Sequence, residues 1–208
     1  MDIVYVWIFL IGYGFGCLQS AYFISRWMGK IDIRDHGSGN AGMTNVTRVL
    51  GAKAGLIVFI FDIIKCIGAI MLANVIVFGH IFRVEYYQAF PGLLTGLGVI
   101  LGHCFPFYLK FKGGKGIASM VGLIIMFDWR VMLISFSVAL IIIIVSKFIS
   151  LGSLIGLLTF AGVTPFFYNQ IEIIIACIFL AALCIFMHRS NIKRIIKGTE
   201  SRFSFGKK

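Results

Sequence analysis

The chain has 208 residues, 60% hydrophobic and only 13% charged, with 19 Lys and Arg against 8 Asp and Glu for a formal charge of +11. The charged share is about half that of a soluble domain, and a mean hydropathy of +0.99 excludes one. This is the composition of an integral membrane protein.

Seven apolar windows approach the roughly 20 residues that cross a bilayer: Ile3 to Tyr22, Ala54 to Phe78, Pro91 to Leu109, Gly116 to Trp129, Val131 to Ser146, Leu151 to Tyr168 and Ile171 to Met187. The expected fold is therefore an all-α polytopic membrane protein with seven transmembrane helices in a single domain, residues 1–208. The fourth and fifth windows are short, which a tilt, a break at flanking glycines or a re-entrant course would explain. The first carries Asp2 where a signal peptide has basic residues, and no small-residue cleavage site, so it reads as helix one. Five cysteines, Cys17, Cys66, Cys104, Cys177 and Cys184, lie inside the windows without metal-ligand spacing and read as small buried hydrophobes.

Alternating crossings place segments 24–53, 108–116, 147–150 and 188–208 on one side, and these hold 16 of the 19 Lys and Arg. The other side receives only Arg83 and Arg130, and Lys65 falls within helix two. The positive-inside rule makes the first side cytoplasmic, with the N-terminus outside and the C-terminus inside. The positive charge thus reads as topology plus affinity for anionic headgroups, and no nucleic-acid partner is expected.

Three unusual stretches face that side and are expected to converge on one site. In "GSGNAGMTNVTR", Gly37, Gly39 and Gly42 permit positive φ, so that successive N–H groups form a nest for an anion, with the Ser38 hydroxyl as a further donor beside Asn40. A helix starting near Met43 adds its dipole; Thr44 and Asn45 open it, and Asn45 and Arg48 share a face. The alternative is a flexible glycine turn. In "GHCFPFYLKFKGGKGIAS", Gly113, Gly114 and Gly116 bracket Lys115 just before an apolar helix. This resembles phosphate-loop construction without the nucleotide pattern, since Gly116 follows the lysine. Lys110 and Lys112 read as topology signals, and His103 ends helix three in a structural or a functional role.

In "HRSNIKRIIKGTE", helical spacing puts His188, Asn191 and Arg194 on one stripe. Arg189, Lys193 and Lys197 point elsewhere, towards headgroups. Glu200 either orients Arg194 or His188 or is solvated. Ser150 and Ser153 add hydroxyl donors from "ISLGS". Asp62 and Lys65, one turn apart in helix two, are charges at a costly depth; an intrahelical pair and a contact with the polar site from below both remain open.

So many donors exceed the needs of one phosphate and suit two anionic groups held side by side, one of them on a hydrophobic tail. The H-x4-D spacing of soluble-type glycerolipid acyltransferases is absent, as is the aspartate-rich motif of the alcohol phosphotransferases. The three stretches, in order, resemble the signature motifs of the bacterial membrane acyl-phosphate:glycerol-3-phosphate acyltransferase family, along the whole length of the chain. Met43 and Ser119 stand where Ala and Thr are expected. The resemblance implies acyl transfer from acyl phosphate to sn-glycerol 3-phosphate in the bacterial cytoplasmic membrane, giving lysophosphatidic acid and inorganic phosphate, with no metal, no cofactor and no thioester donor.

On that reading Ser38, Gly39 and Asn40 hold the acyl phosphate, while Arg48, Lys115, His188 and Asn191 hold glycerol 3-phosphate. His188 or the donor's own phosphate takes the hydroxyl proton. A monomer suffices for this chemistry. The competing expectation is an organic-phosphate transporter, against which stand the absence of internal repeats and the confinement of basic groups to one face.

Overall fold

The computed structural model describes residues 3–79 and 89–202. Asp2, Arg83, Lys207 and Lys208, used above for topology, lie outside the described residues. The chain divides into two compact units, Met1–Phe127 and Asp128–Lys208, and the described residues of both are helical, without strands.

The first unit begins with α1, Ile3–Gly16, and α2, Ser20–Gly29. The expected continuous first helix is thus broken at Cys17–Gln19. The break leaves helical carbonyls unpaired, which hydrocarbon does not tolerate unless protein covers them. Side chains do so here: Tyr108 donates its hydroxyl to the Cys17 carbonyl at 2.7 Å, Lys65 donates to Leu18 at 2.9 Å and Gly16 at 3.3 Å, and Gln19 reaches Gly16 at 3.4 Å.

A 3-10 turn over Ile33–Asp35 leads to α3, Met43–Leu50, then α4, Ala52–Phe78, and α5, Ala89–Cys104. A second 3-10 turn, Phe107–Leu109, precedes α6, Ile117–Phe127. Helices α1 and α5 meet through reciprocal small residues: Gly12 and Gly16 lie on the backbone of Thr95 and Val99, and Gly98 and Gly102 on that of Phe9 and Tyr13. Any Cβ there would strike backbone, so glycine sets the closeness of the pair. A cluster of Ala21, Ile33, Ala41, Val46, Ala54 and Val58, all fully buried, pins both ends of the first glycine stretch to α2 and α4.

In the second unit, α7 spans Trp129–Ser146, α8 Ile149–Val163, α9 Ile171–Met187 and α10 Arg189–Ile196. Gly152 and Gly156 of α8 seat against Ala139 of α7. Asp128 caps α7, accepting the Arg130 and Val131 N–H groups, and binds the Arg130 guanidinium at 2.8 Å and the Tyr168 hydroxyl at 2.9 Å.

Against the seven crossings expected, five helical segments among the described residues are long and apolar enough to span a membrane, and a sixth if α9 and α10, bent by 59°, count as one. The fourth window shrinks to the 11 residues of α6, about 16 Å at 1.5 Å per residue, because Gly116 at φ 83° and the capping Asp128 cut it at either end. All five cysteines are free and buried, as expected.

Candidate active site

The first glycine stretch is a braced loop. Gly37 and Gly39 adopt φ 60° and 71°, whereas Gly42 is extended at φ −154° and serves as the N-cap of α3; of the three glycines expected to bend the nest, two do. Asn45 is its strut. Its Oδ1 accepts the Ser38 backbone N–H at 2.8 Å, and its Nδ2 donates to the carbonyls of His36 at 2.9 Å and Ile33 at 3.1 Å. The Gly39 and Gly42 N–H groups are also used internally, on His36 and Asn40. The expected run of free donors is therefore interrupted. Among the described residues, the N–H groups of Gly37, Asn40 and Ala41 have no protein acceptor, and neither do those of Met43 and Thr44 at the start of α3.

A second brace stands behind the loop. Asp32 caps the 3-10 turn and grips Arg34 bidentately at 3.0 and 2.7 Å, while Arg34 Nη1 reaches the Leu109 carbonyl at 3.0 Å. The guanidinium holds the Asp32 carboxyl below the usual carboxylate range. This ties the first stretch to the second.

The second stretch turns through two left-handed residues, Lys110 and Phe111. It folds back so that the Gly113 and Gly114 N–H groups bond the carbonyls of Cys104 and His103 at 3.1 and 3.0 Å. The two glycine stretches touch. Asn40 Nδ2 donates to the Gly113 carbonyl at 3.4 Å. A Cβ on Gly114 would meet His103 Nε2 and the Ala41 carbonyl, so only glycine fits. Lys115 follows, half-buried, and α6 begins two residues later. Two loops, each leading into a helix N-terminus, are thus joined over His103.

Beneath His103 the helix-two charges resolve. Lys65 Nζ lies 2.7 Å from Asp62 Oδ1 and 3.0 Å from His103 Nδ1, with all three residues buried. The pair is intrahelical and also touches the candidate site from below, which joins the two readings left open above.

In the second unit, Glu200 gathers the third motif. Ser150 and Asn191 donate to its Oε1 at 2.7 Å each, and Arg194 to Oε2 at 2.6 Å. Burial works to raise this carboxyl, and the bonds from Ser150, Asn191 and Arg194 outweigh it, so it sits below its usual value. His188 sits at the bend between α9 and α10, where its Nδ1 lies 2.7 Å from the Cys184 carbonyl. A carbonyl only accepts, so Nδ1 carries a proton, and in the neutral ring Nε2 is the basic nitrogen.

The sequence-predicted residues thus fall into groups. Gly37, Ser38, Gly39, Asn40, Gly42, Thr44, Asn45, Arg48, His103, Gly113, Gly114, Lys115 and Gly116 lie in the first unit, and Ser38, Thr44 and Arg48 are exposed. Ser150, His188, Asn191, Arg194 and Glu200 lie in the second. Ser153 returns its hydroxyl to the Ile149 carbonyl of its own helix at 3.0 Å. Sequence reasoning missed Gln19, Asp32, Arg34 and Tyr108 as braces. Gln19, one of two amides within the apolar windows, and the alternation of charge in "DIRD" were the available signals. Among the described residues no group of three His, Cys, Asp or Glu is placed to hold a metal ion.

The fold defines a multi-pass integral membrane protein, with a candidate anion site of paired glycine loops set at the ends of its helices. Residues 6–198 match the model of the glycerol-3-phosphate acyltransferase family, and the chain belongs to that family. It is 41% identical to the glycerol-3-phosphate acyltransferase of Thermoanaerobacter pseudethanolicus over 93% of this chain and 92% of that one. With the enzyme of Thermosipho melanesiensis it shares 40% over 98% and 97%. Crystal structures of PlsY, an integral membrane glycerol 3-phosphate acyltransferase, superpose at 32% identity. Its glycerol 3-phosphate form gives a TM-score of 0.79 over 97% of this chain and 94% of that one. Its lysophosphatidic acid form gives 0.82 over 96% and 95%.

Proposed function

We propose that this protein moves a fatty acyl group from acyl phosphate to sn-glycerol 3-phosphate, releasing lysophosphatidic acid and inorganic phosphate at the cytoplasmic face of the bacterial inner membrane. The observation that carries the proposal is the meeting of two glycine loops over His103, each opening a helix, within a chain of the glycerol-3-phosphate acyltransferase family. Forms of PlsY with glycerol 3-phosphate and with lysophosphatidic acid supply the acceptor and the product by analogy.

The choice of donor follows from chemistry. Acyl phosphate is a mixed anhydride whose phosphate leaves readily, so positioned donors suffice without a covalent enzyme intermediate. The glycerol hydroxyl oxygen forms the new bond to the acyl carbon, the bond from that carbon to the phosphate oxygen breaks, and the hydroxyl proton goes to a base. The Ser38, Gly39 and Asn40 loop holds the acyl phosphate. In the first unit Arg48 and Lys115 serve as cations for glycerol 3-phosphate; in the second, Asn191 serves as a donor for it and His188, its Nδ1 set by the Cys184 carbonyl, serves as the base. Thr44, Gly116 and His103 complete the phosphate-type donors, while Gly113 and Gly114, whose N–H groups are taken by the Cys104 and His103 carbonyls, shape the loop that carries them. Asn45 and Glu200 act by holding these groups in place, and Ser150 and Arg194 serve Glu200.

The charge map supports seven crossings with the N-terminus outside. Counting α6 as a crossing puts 16 Lys and Arg on the cytoplasmic side, whereas leaving it out divides them nine to nine. The short helix is therefore assigned as a thin crossing completed by its flanking loops.

The test is phosphate release from palmitoyl phosphate by purified protein, with and without glycerol 3-phosphate, beside Ser38→Ala. Release that requires glycerol 3-phosphate and collapses in the variant supports the enzyme. Folded protein that releases nothing yet carries labelled glycerol 3-phosphate into liposomes refutes it in favour of a transporter.

A further inference from the structure

Acyl transfer as written uses neither Asp62 nor Lys65, yet both sit in the middle of α4 with side chains 1% exposed. Charges at such depth in a membrane protein are costly and mark a task. Their contacts define it. Lys65 Nζ binds Asp62 Oδ1 at 2.7 Å, the Leu18 and Gly16 carbonyls at the helix break, and His103 Nδ1 at 3.0 Å. An ammonium group has protons and no lone pair, so a ring nitrogen facing it accepts. The competing partner for that nitrogen, Asp62 Oδ1, is 3.6 Å away, beyond hydrogen-bond length. The His103 ring proton therefore belongs on Nε2. That is the atom lying against Gly114, in the space a Cβ would fill, beside the Ala41 carbonyl.

We infer that Lys65, with Asp62 as its counter-charge, is a positioning residue: it holds His103 as the Nε2–H tautomer and so fixes one N–H donor on the floor where the two glycine loops meet, for a phosphoryl oxygen. The nature of the ligand rests on the function proposed above, whereas the tautomer does not. Helix capping by Lys65 and donor setting by His103 are thereby one device, since the same ammonium satisfies the broken first helix and orients the ring under the loops.

The test has one arm that needs no activity. In full-length protein labelled with 15N at histidine, with His103 assigned by difference from His103→Asn, the ring resonances report which nitrogen is protonated. The expected result is Nε2–H alone. A proton on Nδ1, or on both nitrogens, overturns the inference.

The second arm is a cycle on phosphate release by folded protein. Lys65→Met is expected to lower kcat at least tenfold in the wild-type background. In His103→Gln, whose amide N–H can stand in place of Nε2–H without help from Lys65, it should lower kcat less than threefold. Equal losses in the two backgrounds are what capping alone would give, and they overturn the positioning role. Where Lys65→Met does not fold, Asp62→Asn takes its place in the cycle and the wild-type tautomer still decides. A protein with the Nε2–H tautomer that shows no acyl-phosphate chemistry refutes the proposed function while leaving the tautomer assignment standing.

Discussion

Replacing Asn45 with Asp separates a strut from a ligand. Asn45 is 2% exposed and makes three hydrogen bonds within the loop it braces. Asp keeps the shape and still accepts the Ser38 N–H. It converts the amide that donates to Ile33 and His36 into an oxygen facing two carbonyl oxygens. Two bonds at about 1 kcal/mol each are lost, and a carboxylate must be held in a dry place, so the total is about 3 kcal/mol or more. The expected outcome is an unfolding midpoint lower by several degrees, faster hydrogen exchange over residues 33–42, and kcat/KM down about a hundredfold as the Ser38 loop drifts. If Asn45 instead bound substrate directly, Asn45→Asp would raise KM and leave the midpoint and exchange untouched. That result would refute the strut.

Further expectations follow from the other contacts. Gly114→Ala puts a methyl group on His103 Nε2 and the Ala41 carbonyl, so the loops must part; kcat/KM for phosphate release should fall about a hundredfold, and activity within twofold of wild type would show that the loops do not need this closeness. The Glu200 carboxyl lies below its ordinary value of 4.5, so its stabilising share is complete above that pH and is lost as pH falls through the lower folded value. Thermal midpoints taken between pH 7 and pH 3 should fall in the wild type, while Glu200→Gln should start lower at neutral pH and show a flatter decline. Asp128→Ala removes the α7 cap and its bonds to Tyr168 and Arg130, costing about 1–3 kcal/mol of stability. Phosphate release per folded molecule should stay within twofold, and a selective loss of kcat would put Asp128 in the chemistry instead.

Patterns set by the bilayer were legible in the sequence. Apolar windows located the long helices because hydrocarbon imposes length and composition together, and the three polar stretches stood out against them for the same reason. What stayed hidden depends on partners far along the chain. Nothing local distinguishes a donor that meets substrate from one that meets a carbonyl, so Asn45 reads as a ligand until Ile33 and His36 close on it. The break at Cys17–Gln19 contains no proline, and its cause lies in Lys65 and Tyr108, which are 47 and 91 positions away along the chain from the carbonyls they bind. Gly42 shares a motif with Gly37 and Gly39 yet takes an extended backbone, since a cap position calls for that geometry. The shortening of the fourth window has the opposite origin: Gly116 and Asp128 are local signals whose turn-making weight a hydropathy window ignores.

The interrupted first helix also orders assembly in time. In bare lipid the Cys17 carbonyl would face hydrocarbon at a cost of several kcal/mol, and those of Gly16 and Leu18 would keep only the Gln19 amide at 3.4 Å and the Ser20 N–H at 3.1 Å, so the segment Ile3–Gly29 is more stable on entry as one unbroken rod. The Lys65 ammonium and the Tyr108 hydroxyl, which supply the remaining bonds, arrive later in synthesis, on α4 and just after α5. The first span therefore enters whole and is cut by its successors, and the bend that carries the chain on towards the Ser38 loop is acquired only once the neighbouring helices have docked.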